Sequence, residues 1–366
     1  MKKKTSIFSI GLCLLLFMQT STAMAATGKL VSVSHARQEA EVIEGWHQTY
    51  SAHGRTIQVD ADIIVPDVSE LPVVELVWNE VFEIGASTLI DGGDVTERGV
   101  GLFTAASITG DTFFDYTHDG VAENNSIKPD EVFSIFQGIL EKYAPSYSKY
   151  DLEVKGIQGR TVRYEFLKNK NGERIGKDDS KPPLTEVGAY EIRLRQLVHG
   201  VPWLISGGFI INIKSEKNRE LPRSDFQACI INENDFQLTA FSACESGVFA
   251  EDVPILPFSA IKGEFESWIK AGLIREVYDV RLGYKTYYHP TDKDKFLLLP
   301  VWVLRGVVEE NAKKETPKHE WSYLEEIWGG DSVVIEAQTG RLLDFLNDAR
   351  PNRNVAADII LWNGVK

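Results

Sequence analysis

Two stretches of the chain carry apolar residues at helical spacing, and each is followed by a succession of alternating, strand-like runs. That repeated order constrains the fold more than any other feature. The first helix is expected from Asp130 to Tyr143. Pro129 suits its first turn, and Asp130 and Glu131 complement the positive end of its dipole. Val132, Phe133, Phe136, Ile139, Leu140 and Tyr143 form one apolar stripe, and Pro145 ends it. Strands are predicted after it at 152–157, 161–167, 187–198, 203–213, 227–232 and 236–243, with tight turns at Asn171-Gly172 and His199-Gly200. The second helix can be capped by Ser259, carries Ile261, Phe265, Trp268 and Ile269, and ends near Ala271-Gly272. Strands follow at 274–288, 296–307, 332–337 and 341–345. A helix followed by an antiparallel meander, twice over, argues for an α+β chain and against a parallel nucleotide-binding sheet.

The region ahead of these units is less patterned. Ala40, Ile43 and Trp46 suggest a helix over Arg37 to Tyr50. From Thr56 to Pro66, Ile57, Val59, Ala61 and Ile63 alternate with Gln58, Asp60 and Asp62, which predicts a strand with one buried face. Val73 to Trp78 is a second short strand, and the glycines between 85 and 125 suggest loops around short strands. The expected organisation is a signal peptide over 1–25 and a strand- and loop-rich region over 26–125. A first helix-plus-meander module then covers 126–248, and a second covers 249–366.

Residues 1–25 read as a secretory signal. Lys2, Lys3 and Lys4 form the basic segment, Ile7 to Phe17 the short apolar core, and Ala23-Met24-Ala25 the small-residue cleavage site, with cleavage after about Ala25. The core is too short to span a bilayer, and Cys13 lies inside it behind Leu12, which does not fit a lipid-anchor site. The expectation is a secreted, extracytoplasmic protein with no stable membrane insertion after cleavage. Two cysteines then remain, Cys229 and Cys244. Export and even parity favour a disulfide between them, whereas a hairpin around Glu233-Asn234-Asp235 would leave Cys244 beyond bonding reach of Cys229. Both readings stand on the sequence.

A composition of 43% hydrophobic and 25% charged residues is that of an ordinary globular chain. The net charge of −14 argues against nucleic acid as a partner, since phosphate recognition needs a concentrated positive face. No cofactor or metal is expected. His319-Glu320 begins like a zinc-protease motif, but the fifth position is Tyr323. There is no G-x-S-x-G, and Ser259…Lys262 and Ser267…Lys270 lack the companion elements of the serine–lysine enzymes. Asp111, Asp115, His118 and Asp119 crowd one segment without the spacing of a calcium loop, which makes a solvated acidic loop the better reading. The aromatic residues leave two readings open. Trp203 follows Val201-Pro202, Trp302 follows Pro300-Val301, and Tyr284 lies in the strand before it; these are either core residues or a ligand-binding strip on a sheet face.

The run from Gly188 to Pro202, in which Arg195-Gln196 leads into a turn and Gly200-Val201-Pro202, resembles the strand-turn-strand of extracytoplasmic YycI/YycH and PepSY proteins. Val333 to Leu343, with its Thr339-Gly340 turn, is similar to a PepSY ending. With Asp60 to Asp67 included, the chain resembles a family of uncharacterised exported proteins of Gram-positive bacteria. The resemblance implies two PepSY- or cystatin-like helix-on-antiparallel-sheet modules behind an N-terminal extension, used for binding or regulation in the cell envelope. It brings no catalytic residues. The function expected is therefore a secreted, non-catalytic binding protein whose partner is a protein or envelope component, with Trp203, Trp302 and Tyr284 as candidate contacts. The competing readings are a hydrolase of wall polymer or peptide using a carboxylate pair, and a structural envelope protein.

Overall fold

The computed structural model describes residues 28–52, 54–78, 82–86, 113–116, 121–164, 185–205, 225–241, 243–292, 294–308 and 332–343. The chain enters through α1 (Val33–Ile43), β1 (Trp46–Ala52), β2 (Arg55–Ile64), β3 (Val73–Trp78), β4 (Phe82–Ala86) and β5 (Phe113–Tyr116). A 3-10 turn at Pro129–Glu131 then leads into α2 (Val132–Tyr143), β6 (Asp151–Tyr164), β7 (Thr185–Val198), β8 (Val201–Ile205), β9 (Asp225–Asn232), β10 (Asp235–Phe241) and β11 (Ala243–Ala250). Last come α3 (Phe258–Lys270), β12 (Ile274–Tyr288), β13 (Lys295–Val308), β14 (Ser332–Glu336) and β15 (Leu342–Leu343).

The long β12–β13 pair forms the spine of one half, and each of its outer edges is shared between two strands. β13 pairs with β3 over Lys295–Leu298 and with β14 over Val301–Arg305. Pro300 falls at the changeover, where a residue without an N–H removes nothing from either ladder. β12 pairs in parallel with β2 at Asp279–Arg281 and with β8 from Tyr284. Two register shifts near Ile274 and Val277 bend the pair, as bulges do. Gly306 sits opposite that bend, where an added Cβ would lie 2.0 Å from the Glu276 carbonyl oxygen. The other half is the antiparallel run β6-β7-β9-β10, with β4 beyond β10 and β5 beyond β6. Strand β8 joins the halves. The His199-Gly200 turn, with both φ angles positive, folds it back on β7, and its far end pairs with β12.

Each half has its own apolar core. Val132, Phe136, Ile139 and Leu140 of α2 pack on Tyr190, Ile192 and Leu194 of β7, Phe226 and Ile230 of β9, and Phe236 and Leu238 of β10. Phe258, Ile261, Phe265 and Ile269 of α3 pack with Trp46, Trp302 and the β2, β3, β12 and β14 side chains. Trp46 Nε1 donates to the Tyr50 hydroxyl at 3.0 Å, which donates in turn to Glu266 at 2.9 Å and fixes α3 against β1. The Ser259 N–H donates to Glu39 of α1 at 3.0 Å, so a carboxylate from another helix satisfies the start of α3.

These pairings overturn the expected α+β chain of two helix-on-sheet modules with an N-terminal extension. The chain is mostly sheet, with a curled eight-stranded half-barrel. The N-terminal strands are integral to it: β3 lies between β11 and β13, and β2 lies on β12. The helix expected over Arg37–Tyr50 ends instead at Ile43. Glu44 and Gly45 take left-handed backbone (φ 55° and 103°), and Trp46, Tyr50 and Ala52 then bury one face of a strand. The runs expected at 152–157 and 161–167 are joined in one 14-residue strand, β6.

Candidate functional site

Strand β7 alternates, with Tyr190, Ile192 and Leu194 under α2 and Glu191, Arg193 and Arg195 on the other face. Cross-strand register adds Cys229 opposite Glu191, Gln227 opposite Arg193, and Glu153 opposite Arg195. Glu191, 1% exposed, accepts from Arg160, from Arg193 Nε at 2.7 Å and from Gln227 at 2.9 Å. Glu153 pairs with Arg195 at 2.9 Å and reaches Arg281 of β12 at 3.9 Å. Arg281 in turn meets Asp279 at 3.0 Å, and Asp279 accepts from Arg305 Nε of β13 at 2.8 Å. One run of ion pairs, Arg195–Glu153–Arg281–Asp279–Arg305, therefore crosses from one half of the sheet to the other, beside the separate Arg160–Glu191–Arg193 group.

Among the described ion pairs, this face holds five arginines (160, 193, 195, 281 and 305) and three carboxylates (153, 191 and 279). Its β7 end is dry, whereas the side chains of Glu153 and Arg305 at the seam are 37% and 25% exposed. Burial would raise the Asp279 pKa, but hydrogen bonds and charge from Arg305 and Arg281 outweigh it and hold the carboxyl below its usual range. Among the described residues, Arg281 Nε is buried without a hydrogen-bond partner. Guanidinium groups fixed in this way recognise planar anions such as carboxylate or phosphate.

The side chains expected as ligand contacts lie elsewhere. Trp203 is buried and donates to Thr286 Oγ1 at 2.9 Å. Trp302 is buried and donates to the Leu256 carbonyl at 2.9 Å, and the Tyr284 hydroxyl donates to the Pro72 carbonyl at 2.6 Å. Trp203 and Tyr284 are neighbours across β8 and β12. All three are core: their rings fill the half-barrel interior and their polar atoms are satisfied inside it, so they form no surface strip. Cys229 and Cys244 are free thiols. Cys229 is buried, which pushes its pKa up to about 12 and keeps it protonated and unreactive at neutral pH. Cys244 Sγ contacts the Tyr150 hydroxyl at 3.5 Å.

Residues 1–25, Asp111, His118, Asp119, Asn171-Gly172 and His319-Glu320 lie outside the described residues, as does the side chain of Asp115. Among the described residues no group of three or more His, Cys, Asp or Glu side chains is arranged to hold a metal. No described helix is long and apolar enough to cross a membrane. The arginine row escaped sequence reasoning because a strand of alternating charge ordinarily marks a solvated face; the available signal was Glu191-x-Arg193-x-Arg195 in a strand beginning a hairpin.

No family model matches the chain, and no curated protein matches it. Among solved structures it is similar to an uncharacterized protein from Eubacterium rectale, at 11% identity and a TM-score of 0.43, over 79% of this chain and 91% of that one.

Proposed function

We propose that this is an exported, non-catalytic binding protein of the cell envelope that takes an anionic group of its partner at the seam between the two halves. The seam guanidinium of Arg281, whose buried Nε has no hydrogen-bond partner among the described residues, beside the partly exposed Arg305, carries the reading. Guanidinium groups fixed by their neighbours can hold an anion and orient it. At the seam Asp279 faces arginines that favour its ionised form, which suits holding charge more than moving protons. Export rests on the basic and apolar pattern of residues 2–17 and the Ala23-Met24-Ala25 site.

The test is calorimetric titration with poly-glutamate, with poly-lysine as the control. Saturable binding of the polyanion alone is expected, weakening as salt is raised. Arg281→Gln and Arg305→Gln should each weaken it about tenfold, as loss of one charge-assisted contact does. Binding by neither polymer, or binding indifferent to both substitutions in folded protein, rejects the seam as the site.

A further inference from the structure

We infer that Lys285 is a carbonyl-capturing amine, condensing reversibly with the aldehyde or ketone of a small molecule. The site is separate from the anion-binding seam. Lys285 shares a face of β12 with Arg281 but stands four residues, about 13 Å, further along the strand.

The argument begins with what surrounds the amine. Lys285 is half-buried, opposite Leu299 of β13, and its Nζ lies 5.2 Å from the centre of the Tyr287 ring. Among the described residues it makes no hydrogen bond and no ion pair. A lysine withdrawn from water for structural reasons ordinarily has an acceptor, because three N–H donors are costly to leave unmatched. Here the apolar Leu297, Leu299 and Val301 of β13 form the wall. Among the described residues the Tyr287 hydroxyl is also buried without a hydrogen-bond partner. Glu336 of β14 is 2% exposed and accepts from Thr339 Oγ1 at 2.7 Å. Among the described residues the charged and titratable groups facing the amine are Glu336 and Tyr287, with Arg341 acting on Tyr287 from the turn after β14.

Burial lowers the Lys285 pKa to about 8, against the opposing pull of the Glu336 charge. At neutral pH on the order of a tenth of the amine is then unprotonated, far above the fraction for an ordinary lysine. The nitrogen lone pair attacks the carbonyl carbon, and a proton passes from nitrogen to oxygen. The second nitrogen proton then goes to the same oxygen as the C–O bond breaks and water leaves, giving the imine. No oxidant or reductant is consumed, and an apolar wall favours loss of water.

The test is to incubate the full chain with benzaldehyde, a neutral carbonyl with no use for the arginines, and to fix the imine as a secondary amine with borohydride. Peptide mass mapping then reads each lysine. Lys142 is the internal control, since it also lies over a neighbouring ring, at 4.5 Å from Tyr143, but is exposed. At pH 7.5 Lys285 should label at least tenfold faster than Lys142, with a rate that levels off above about pH 8 to 9. Lys285→Arg should abolish that adduct and leave the others. Labelling no faster than Lys142, no labelling, or a rate still climbing at pH 10 overturns the proposal without touching the seam.

Discussion

The two halves of the sheet treat the face opposite their helices in different ways. Under α2 the strands alternate, and the far face of β7 is charged: Glu191, Arg193 and Arg195, nearly all withdrawn from water. Under α3 the far face of β13 is apolar, with Leu297, Leu299, Val301 and Val303 all buried. Both halves therefore bury both faces, one by mutual neutralisation of charge and the other by hydrophobic packing. The two solutions differ in how they fail. An apolar face loses stability in proportion to the volume removed, whereas a buried charge row loses it when a single partner goes.

The largest effect is expected at Glu191. Glu191→Leu leaves Arg160 and Arg193 without the carboxylate they share, which costs about 3–5 kcal/mol. Urea unfolding would register it as a lower midpoint at an unchanged slope. The triple variant Arg160→Met, Glu191→Leu, Arg193→Met removes the charges together and should recover most of the loss. A triple variant as unstable as the single one would mean that these residues serve packing and not charge balance. In the other half the corresponding substitution is Leu299→Ala, expected to cost about 3 kcal/mol through lost burial and a residual cavity. No second substitution among its charged neighbours should rescue it, and rescue would erase the distinction between the halves.

Much of the local structure was legible in the sequence. The α2 stripe, the β12 limits and the His199-Gly200 turn follow from spacing and turn chemistry, which act within a few residues. The assembly was not legible, because β2 and β3 meet β12 and β13 across more than 200 positions and nothing in their own alternation names a partner. The Arg37–Tyr50 error was local. Glu44-Gly45 is a stop signal, whereas the spacing of Trp46 from Ala40 and Ile43 also fits a helix. The candidate site was hidden for a different reason. Charge alternation on β7 looks the same whether that face meets water or another charged strand, and only the cross-strand register with β6 and β9 decides.

The smallest effect expected is on the acid side of the pH–stability profile, and it probes the seam where the two solutions meet. Arg305 and Arg281 hold the Asp279 carboxyl below its usual range against the upward push of burial. A folded-state pKa below the unfolded value, near 3.9, gives a stabilisation fully present above that value and lost as pH falls through the folded one. Glu266 is subject to the same balance: burial raises its pKa, while hydrogen bonds from Lys270 and Tyr50 outweigh it and lower it. The unfolding midpoint should therefore lie flat from neutral pH to about 5 and decline below about 4. Asp279→Asn should reduce that decline and lower stability at pH 7, because the arginines lose their charged partner but the proton-linked difference is gone. An acid decline equally steep in the variant would mean that the Asp279 carboxyl is not held in its ionised form by the seam. The charge row would then bridge the two halves without the electrostatic coupling that its geometry implies.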